Sequence, residues 1–252
     1  MVSGWERLEQ KYLGKTYKRG RETLAVGGTI AHAAVLLPSL VAWFKGHWPS
    51  VQASVYSGPT EDIQRLLLNG KLDVGFSVNP PSSPLIHVEP FRKERLVAFV
   101  RRDHPFARRR ALSLAEIAES PVVIRREFNR RNWTAAYLTG LQNDRLKWKN
   151  LMYCDSFDAV KSAVRASNCV GIMHEDLLRE DLQRQDFKFL QVNDAALTTQ
   201  NYLCFSAGTP LSPVAESFVS LLRAAREKKV AIGNGFAAEW DRRRQADGRG
   251  VG

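Results

Sequence analysis

Long apolar runs are missing from this chain. Although 44% of its 252 residues are hydrophobic, no stretch approaches the ~18 consecutive apolar residues of a membrane-spanning helix. The first twenty residues carry Glu6, Arg7, Glu9, Lys11, Lys15, Lys18 and Arg19 in place of the apolar centre of a secretion signal. The expectation is a cytoplasmic protein with no membrane partner. Cysteine is scarce too: Cys154, Cys169 and Cys204 are an odd number without Cys-x-x-Cys spacing. That argues against a disulfide framework or a zinc finger and favours buried, inert thiols. Catalytic signatures are also absent. There is no Gly-x-Ser-x-Gly elbow, no His-Glu-x-x-His, no Gly-x-x-x-x-Gly-Lys-Ser/Thr and no Gly-x-Gly-x-x-Gly after a strand. His32 follows the first strand with no nucleophile placed beside it by spacing. The reading is a non-enzyme without cofactor, metal or catalytic residue.

What is abundant is positive charge. Lysine and arginine exceed aspartate and glutamate by 37 to 26, a net +11. Eight of the cations lie between Arg92 and Arg110, four between Arg125 and Arg131, and four more in the C-terminal tail. This balance suits an anionic partner and equally a solvated surface. No aromatic interleaving or recognition-helix pattern accompanies the clusters, so no DNA-reading element is identified.

The local pattern is a run of strand–helix units. Thr23 to Gly28 reads as a strand, followed at Thr29 by an apolar-periodic helix through Phe44; Val51 to Ser57 is a strand, then Gly58-Pro59-Thr60 opens a helix to Asn69-Gly70; Lys71 to Ser77 is the third strand. Helices joining neighbouring strands give a parallel sheet with every strand C-terminus and helix N-terminus on one edge. Pro38 interrupts the first helix, so a kink or a fresh turn is expected there, because an interior proline costs ~3 kcal/mol or more. A strand over Leu85 to Val100 follows.

Ser113 with Glu116 has capping-box spacing at the head of a short helix. Then come a strand at Pro121–Ile124, a helix at Trp133–Leu141 and a strand at Lys147–Cys154. A helix at Phe157–Ala166 and a strand at Val170–Met173 follow. Next are a short helix near Leu177–Gln183, a strand at Phe187–Leu190 and, after a polar connection, a strand at Tyr202–Ser206. The last helix places Val214, Phe218, Leu221/Leu222 and Ala225 on one face. Residues 1–21 read as a charged linker stub and 230–252 as a disordered tail. The two halves share a plan without repeating in sequence, and two similar α/β lobes imply a cleft between them.

An ordered series of short motifs runs through the chain: Leu36-Leu-Pro38, Trp48-Pro49-x-Val51, Gly58-Pro-Thr60-Glu61, Asn69-Gly70-Lys-Leu-Asp73-Val-Gly75, Glu89-Pro90, Glu94-x-Leu96-Val97, His104-Pro105, Leu112-Ser-Leu-Ala-Glu116, Val164-Arg-Ala and Val170-Gly-Ile172. In that order they resemble the effector-binding domain of LysR-type transcriptional regulators over about residues 21 to 228. The resemblance implies the type 2 periplasmic-binding-protein fold, two Rossmann-like α/β lobes joined by two crossover strands near Leu96–Val100 and Tyr202–Ser206. The expected division is 22–98 plus 203–229 for lobe I and 99–202 for lobe II. It further implies a small effector, often an organic acid, held between the lobes and sensed through the contacts of a homodimer. The family's DNA contact comes from a helix-turn-helix that this chain, with only residues 1–21 ahead of the domain, does not carry. A piece of a longer regulator and a stand-alone domain acting by ligand or protein contact both fit that feature. A solute receptor of the same fold would need an export signal. The family's Gly-x-Gly-Ile stretch reads Cys169-Val170-Gly171-Ile172 here, and a proline common after it is replaced by His174-Glu175-Asp176.

Candidate ligand-binding residues follow. Thr29 stands where a hydroxyl and the N–H groups that follow, from Ile30 on, suit an acid group; it also suits a plain N-cap. Thr60 matches it on the second helix, and Ser77-Val78 end the third strand. Arg125 leaves a strand end, where a guanidinium suits a carboxylate or phosphate or simply solvent. Arg126 should point the other way, because strand side chains alternate. Asp155 reads as cap of the helix starting at Phe157 or as partner of a ligand amine. Met173 and His174 follow the Gly171 strand as a pocket floor, although a lone histidine more often has a structural part.

Overall fold

The computed structural model describes residues 22–78, 80–126, 136, 138, 140, 147–193 and 197–227. The stub 1–21, the tail 230–252 and most of the helix expected at 133–141 lie outside them; Ala136, Leu138 and Gly140 are helical. The chain forms two compact units. One comprises the residues up to Arg92 and from Asn201 onward, the other Lys93–Gln200. The chain crosses between them twice, within strand β4 (Ile86–Arg101) and strand β9 (Thr198–Ser206).

In the first unit, β1 (Thr23–Gly28) pairs in parallel with β2 (Gln52–Ser57) and with β3 (Val74–Ser77), and β3 pairs antiparallel with β9. A π-helical turn, His32–Leu36, leads into α1 (Leu37–His47). The cause is Pro38, which has no N–H to give and whose ring collides with the turn before it. The helix therefore widens by one residue, with Leu37 N–H bonding to His32 O, and restarts with Pro38 in its first turn, where a missing donor costs nothing. The fresh turn is thus what the proline produces.

Two apolar layers cover the sheet. On one face Leu37, Leu40 and Phe44 of α1 meet Val214, Phe218 and Leu222 of the last helix, Pro213–Glu227, with Phe44 edge-on to Phe218 at 5.2 Å and stacked on Trp48 at 4.1 Å. On the other, Ile63 and Leu67 of α2 (Thr60–Leu68) lie against Gly27 and Gly75. A Cβ at Gly27 would stand 2.3 Å from Leu72, and one at Gly75 2.7 Å from Ile63. The glycines let α2 approach the strands closely.

The third strand is shorter than the sequence reading. Lys71 to Asp73 stay outside the strand because the Asp73 carboxylate takes the Ala25 N–H at 2.7 Å while the Asp73 N–H bonds to Ala25 O at 2.9 Å. Side chain and main chain of one residue thus replace ladder bonds.

In the second unit the strand order is β8 (Phe187–Leu190), β4, β7 (Val170–His174), β5 (Pro121–Arg125), β6 (Asn150–Cys154). The pairs β5–β6 and β5–β7 are parallel and those of β4 antiparallel. The expected capping box is present at α3 (Leu114–Ala118): Ser113 Oγ accepts the Glu116 N–H at 3.1 Å and the Glu116 carboxylate accepts the Ser113 N–H at 2.8 Å. One apolar layer gathers Ile117, Val122, Ile124, Trp148 and Ile172; the other gathers Val97, Phe99, Val123, Val160, Met173 and Phe187 beneath α4 (Phe157–Ala166). The short helix α5 (Arg179–Gln183) is tied to α4 through Asp181, 2.6 Å from both Lys161 and Arg165. Two strand starts differ from the sequence reading by three residues or more: β6 begins at Asn150, not Lys147, and β9 begins at Thr198, inside the stretch read as polar connection. In β9 the alternation comes from Thr199 and Asn201, both buried, so a polar inner face hid the strand.

The last helix, α6 (Pro213–Glu227), is fastened to the first-unit part of β4. Arg223 donates to both oxygens of Glu89, Nε at 3.1 Å, and Arg226 donates to Pro90 O at 2.8 Å. Hydrogen bonding from Arg223 holds the Glu89 carboxyl below the ordinary glutamate value of 4.5, against the opposing effect of its partial burial. A folded pKa below the unfolded one contributes stability above the ordinary carboxylate range, and that contribution disappears as pH falls through the lowered value. Urea titrations run downward from about pH 5 should therefore show a shallower acid dependence in Glu89→Gln than in the parent; equal slopes would refute the linkage.

Candidate functional site

The parallel order of the first unit collects the ends of β1, β2 and β3 at one sheet edge. By register Gly28 faces Ser57 on one side and Phe76 on the other. The main chain continues that stitching past the strands, with Thr29 N–H bonded to Phe76 O and Gly58 N–H bonded to Gly28 O, both at 3.1 Å. Thr29, Thr60 and Ser77 therefore belong to one small region. Thr60 Oγ1 and Ser77 Oγ are 3.1 Å apart, Ser77 fully buried and Thr60 half-buried. Ile30 opens the first helix and Val78 follows β3, both half-buried.

The two helix starts at this edge differ electrostatically. Helix α2 has Glu61 and Asp62 in its first turn, so its positive end already faces carboxylates of its own chain. The helical turn after Thr29 runs Ile30, Ala31, His32 and Ala33, with no acid. An anion at this edge is better placed on the Thr29 side. There the sequence reading missed a contact: the Thr29 hydroxyl lies 2.7 Å from His32 Nδ1, and His32 is 1% exposed. The signal was available in the i, i+3 spacing on a helix.

In the second unit Arg125, Asp155, Met173 and His174 likewise reach one sheet edge, since β5 is parallel to both β6 and β7. Arg125 is buried, donates from Nε to Asp155 O at 2.9 Å and lies 5.0 Å over the Phe157 ring. Arg126 is exposed and lies over Tyr153, the alternation expected of a strand end. One expectation is corrected. Asp155 does not cap α4; Ser156 does, its Oγ accepting the Ala159 N–H at 3.1 Å. The cap must sit immediately before the first helical residue to reach the third N–H of the turn, and Asp155 is one position too early. Met173 packs in the apolar layer with Val123 and Val160, 1% exposed, and His174 Nδ1 lies 3.2 Å from Glu94, both side chains nearly buried.

A cavity of about 810 Å³ lies elsewhere in the second unit, between Arg95–Ala98 and Phe189–Asn193, with Leu197 and Thr198 at one end. None of the candidate residues lines it. Burial pushes the Cys204 thiol up to about 12 and raises that of Cys154 as well. Among the described residues no cluster of three or more His, Cys, Asp or Glu side chains is arranged to hold a metal, and no helix is long and apolar enough to cross a membrane.

The family described as LysR substrate binding domain matches residues 17–227. The HTH-type transcriptional activator CmpR of Synechocystis sp. is 26% identical over 219 residues, spanning 87% of this chain and 70% of that protein. Among solved structures, the BenM effector-binding domain with its effector benzoate is 16% identical with a TM-score of 0.70, covering 84% of this chain and 95% of BenM's. The regulatory domain of Synechocystis CcmR, in complex with 2-PG, is 19% identical with a TM-score of 0.69, covering 81% and 97%. At such identities these structures speak to the fold, two α/β units linked by two strands.

The cap assignment is checked by unfolding in urea. Ser156→Ala should destabilise by about 1 kcal/mol, whereas Asp155→Ala, which loses only a side chain that α4 does not use, should stay within about 0.5 kcal/mol of the parent.

Proposed function

The chain belongs to the LysR substrate binding domain family, and on that premise we propose that it senses a small organic acid at the Thr29–Thr60–Ser77 edge of its first unit. The observation that carries the reading is the convergence there of two hydroxyl-bearing helix starts and a buried serine, with an acid-free helical turn behind Thr29. Backbone donors at a helix start and the positive end of its dipole favour a carboxylate or phosphoryl oxygen. BenM and CcmR are described with benzoate and 2-PG, so small acids are a precedent among neighbours. Arg125 and Asp155 mark the corresponding sheet edge within the second unit. Relatives such as CmpR are named transcriptional regulators, which supports a regulatory and non-catalytic role. DNA contact is assigned to a helix-turn-helix part of the kind in CmpR's name, not to the residues described.

Signalling follows from population shift. A ligand changes the balance of two states only by its differential affinity for them. We assign the partner in this response to a second copy of the chain. Among the described residues β2 and β6 stand at the ends of the strand order, each paired to one strand only, and Val55, Tyr56, Met152 and Tyr153 on them are exposed by 36–40%. Unprotected edges with apolar side chains are surfaces that another chain covers.

Metabolite screening by thermal unfolding tests the site. An acid present at 100 times its dissociation constant should stabilise the parent by about 2.7 kcal/mol, and Thr29→Val should remove that response. A parent-like shift in Thr29→Val would move the site elsewhere. For the partner, Tyr56→Asp combined with Tyr153→Asp should sediment as a monomer where the parent sediments as a dimer; unchanged sedimentation would clear both edges.

A further inference from the structure

The ladder between β4 and β8 stops short of its own register. Its pairs run from Arg101 with Phe187 to Ala98 with Leu190, and continued in that sense it would set Val192 opposite Leu96. The chain does otherwise. After Leu190 it swings out to Leu112, whose N–H bonds to Gln191 O at 2.9 Å and whose carbonyl accepts the Asn193 N–H at 3.0 Å. Leu96 donates instead to Leu197 O at 2.8 Å, where the chain rejoins β4. The cavity of about 810 Å³ occupies the opening between departure and return, and every residue lining it belongs to the second unit.

The opening leaves main-chain groups unspent. In the parallel bridge between Leu112 and Val192, Leu112 gives both its N–H and its C=O to the neighbours of Val192. The Val192 N–H and C=O therefore point the opposite way, toward the β4 side, because successive residues of an extended chain turn these groups in opposite directions. Neither has a hydrogen-bond partner among the described residues. A donor and an acceptor of the main chain are strong groups that seek partners. Around them stand Leu96, Leu190 and Leu197, all buried. Arg95 lies at the rim, largely exposed, with one Nη 3.2 Å from Glu175; a guanidinium has further N–H donors beyond that contact. No carboxylate lines the cavity.

We propose that this opening in the second unit is a small-molecule site for an N-acylated apolar amino acid. The ligand's amide N–H donates to Val192 O, its carboxylate accepts from Val192 N–H and from Arg95, and its side chain lies against Leu96, Leu190 and Leu197. An N–H and a carboxyl oxygen on one Cα have the spacing that Val192 itself offers, as in an antiparallel strand pair. The ladder pair at Ala98 and Leu190 closes one end and the Leu96 to Leu197 bond the other, so a single amino-acid unit fits where a longer peptide strand does not. The site is independent of the acid site assigned to the first unit.

The experiment uses the full chain with labelled Ile, Leu and Val methyl groups and N-acetylleucine as the probe. Methyl resonances of Leu96, Val192 and Leu197 should shift on titration. Two analogues remove one contact each: 4-methylpentanoate lacks the N–H and N-acetylleucinamide lacks the charge. Each should bind about tenfold more weakly, the scale of one hydrogen bond. Val192→Pro removes the free N–H while leaving both bonds to Leu112 possible, and should weaken N-acetylleucine about tenfold with a cooperative melting curve retained. Arg95→Gln should lower N-acetylleucine to the affinity of N-acetylleucinamide.

If N-acetylleucine moves none of the three methyl sets, the opening holds water only and the inference falls. It falls equally if 4-methylpentanoate binds there as tightly, or if Val192→Pro binds like the parent. Should Val192→Pro fail to fold, Arg95→Gln and the two analogues decide on the parent fold. Shifts confined to Ile30 and Val78 overturn this site and support the first-unit reading, so the two fail separately.

Discussion

Parallel pairing of β1 with β2 and β3 is the constraint on which the first unit depends. Parallel neighbours cannot be joined by a tight turn; each connection must cross the sheet, and here it does so as a helix. Every strand then ends, and every helix begins, on the same edge. Residues separated by nearly fifty positions, Thr29 and Ser77, arrive at one place because Phe76 accepts the Thr29 N–H. The closeness of α2 to the strands adds to this. Gly27 and Gly75 leave space that Ile63 and Leu72 fill, which sets how far the Thr60 hydroxyl stands from Ser77.

Chemistry at that edge is decided by which donors remain unspent. The Thr29 amide is committed to Phe76, and the α2 terminus faces its own Glu61 and Asp62. What remains is the acid-free turn after Thr29 and a hydroxyl 2.7 Å from Nδ1 of a buried histidine. The second unit uses the same strand–helix logic with a different group. Its guanidinium at Arg125 is held by a carbonyl and an aromatic ring, which keeps a long side chain ordered and lowers the entropy lost when such a group meets an anion.

Local rules were readable wherever a few consecutive residues suffice. Ser113 and Glu116 form the capping box their spacing announces, and Pro38 forces a new turn where its missing N–H demands one. Failures occurred where a competing partner was distant or the pattern was polar. Asp73 delays the start of β3 because its carboxylate reaches Ala25, 48 positions away. The start of β9 escaped notice because its inward residues, Thr199 and Asn201, are polar. A cap was one of two readings of Asp155 because aspartate and serine cap equally well, and only the first helical residue distinguishes them.

By itself the sequence determined the element types, the strand–helix order, the apolar faces of α1 and α6, and the family, because periodicity, caps and ordered motifs are properties of neighbours along the chain. Tertiary structure alone decided that Thr60 meets Ser77 and that Met173 belongs to an apolar layer. Those outcomes depend on register between strands and on how closely helices settle onto them. Both are set by packing among residues far apart in the chain, which no local pattern records.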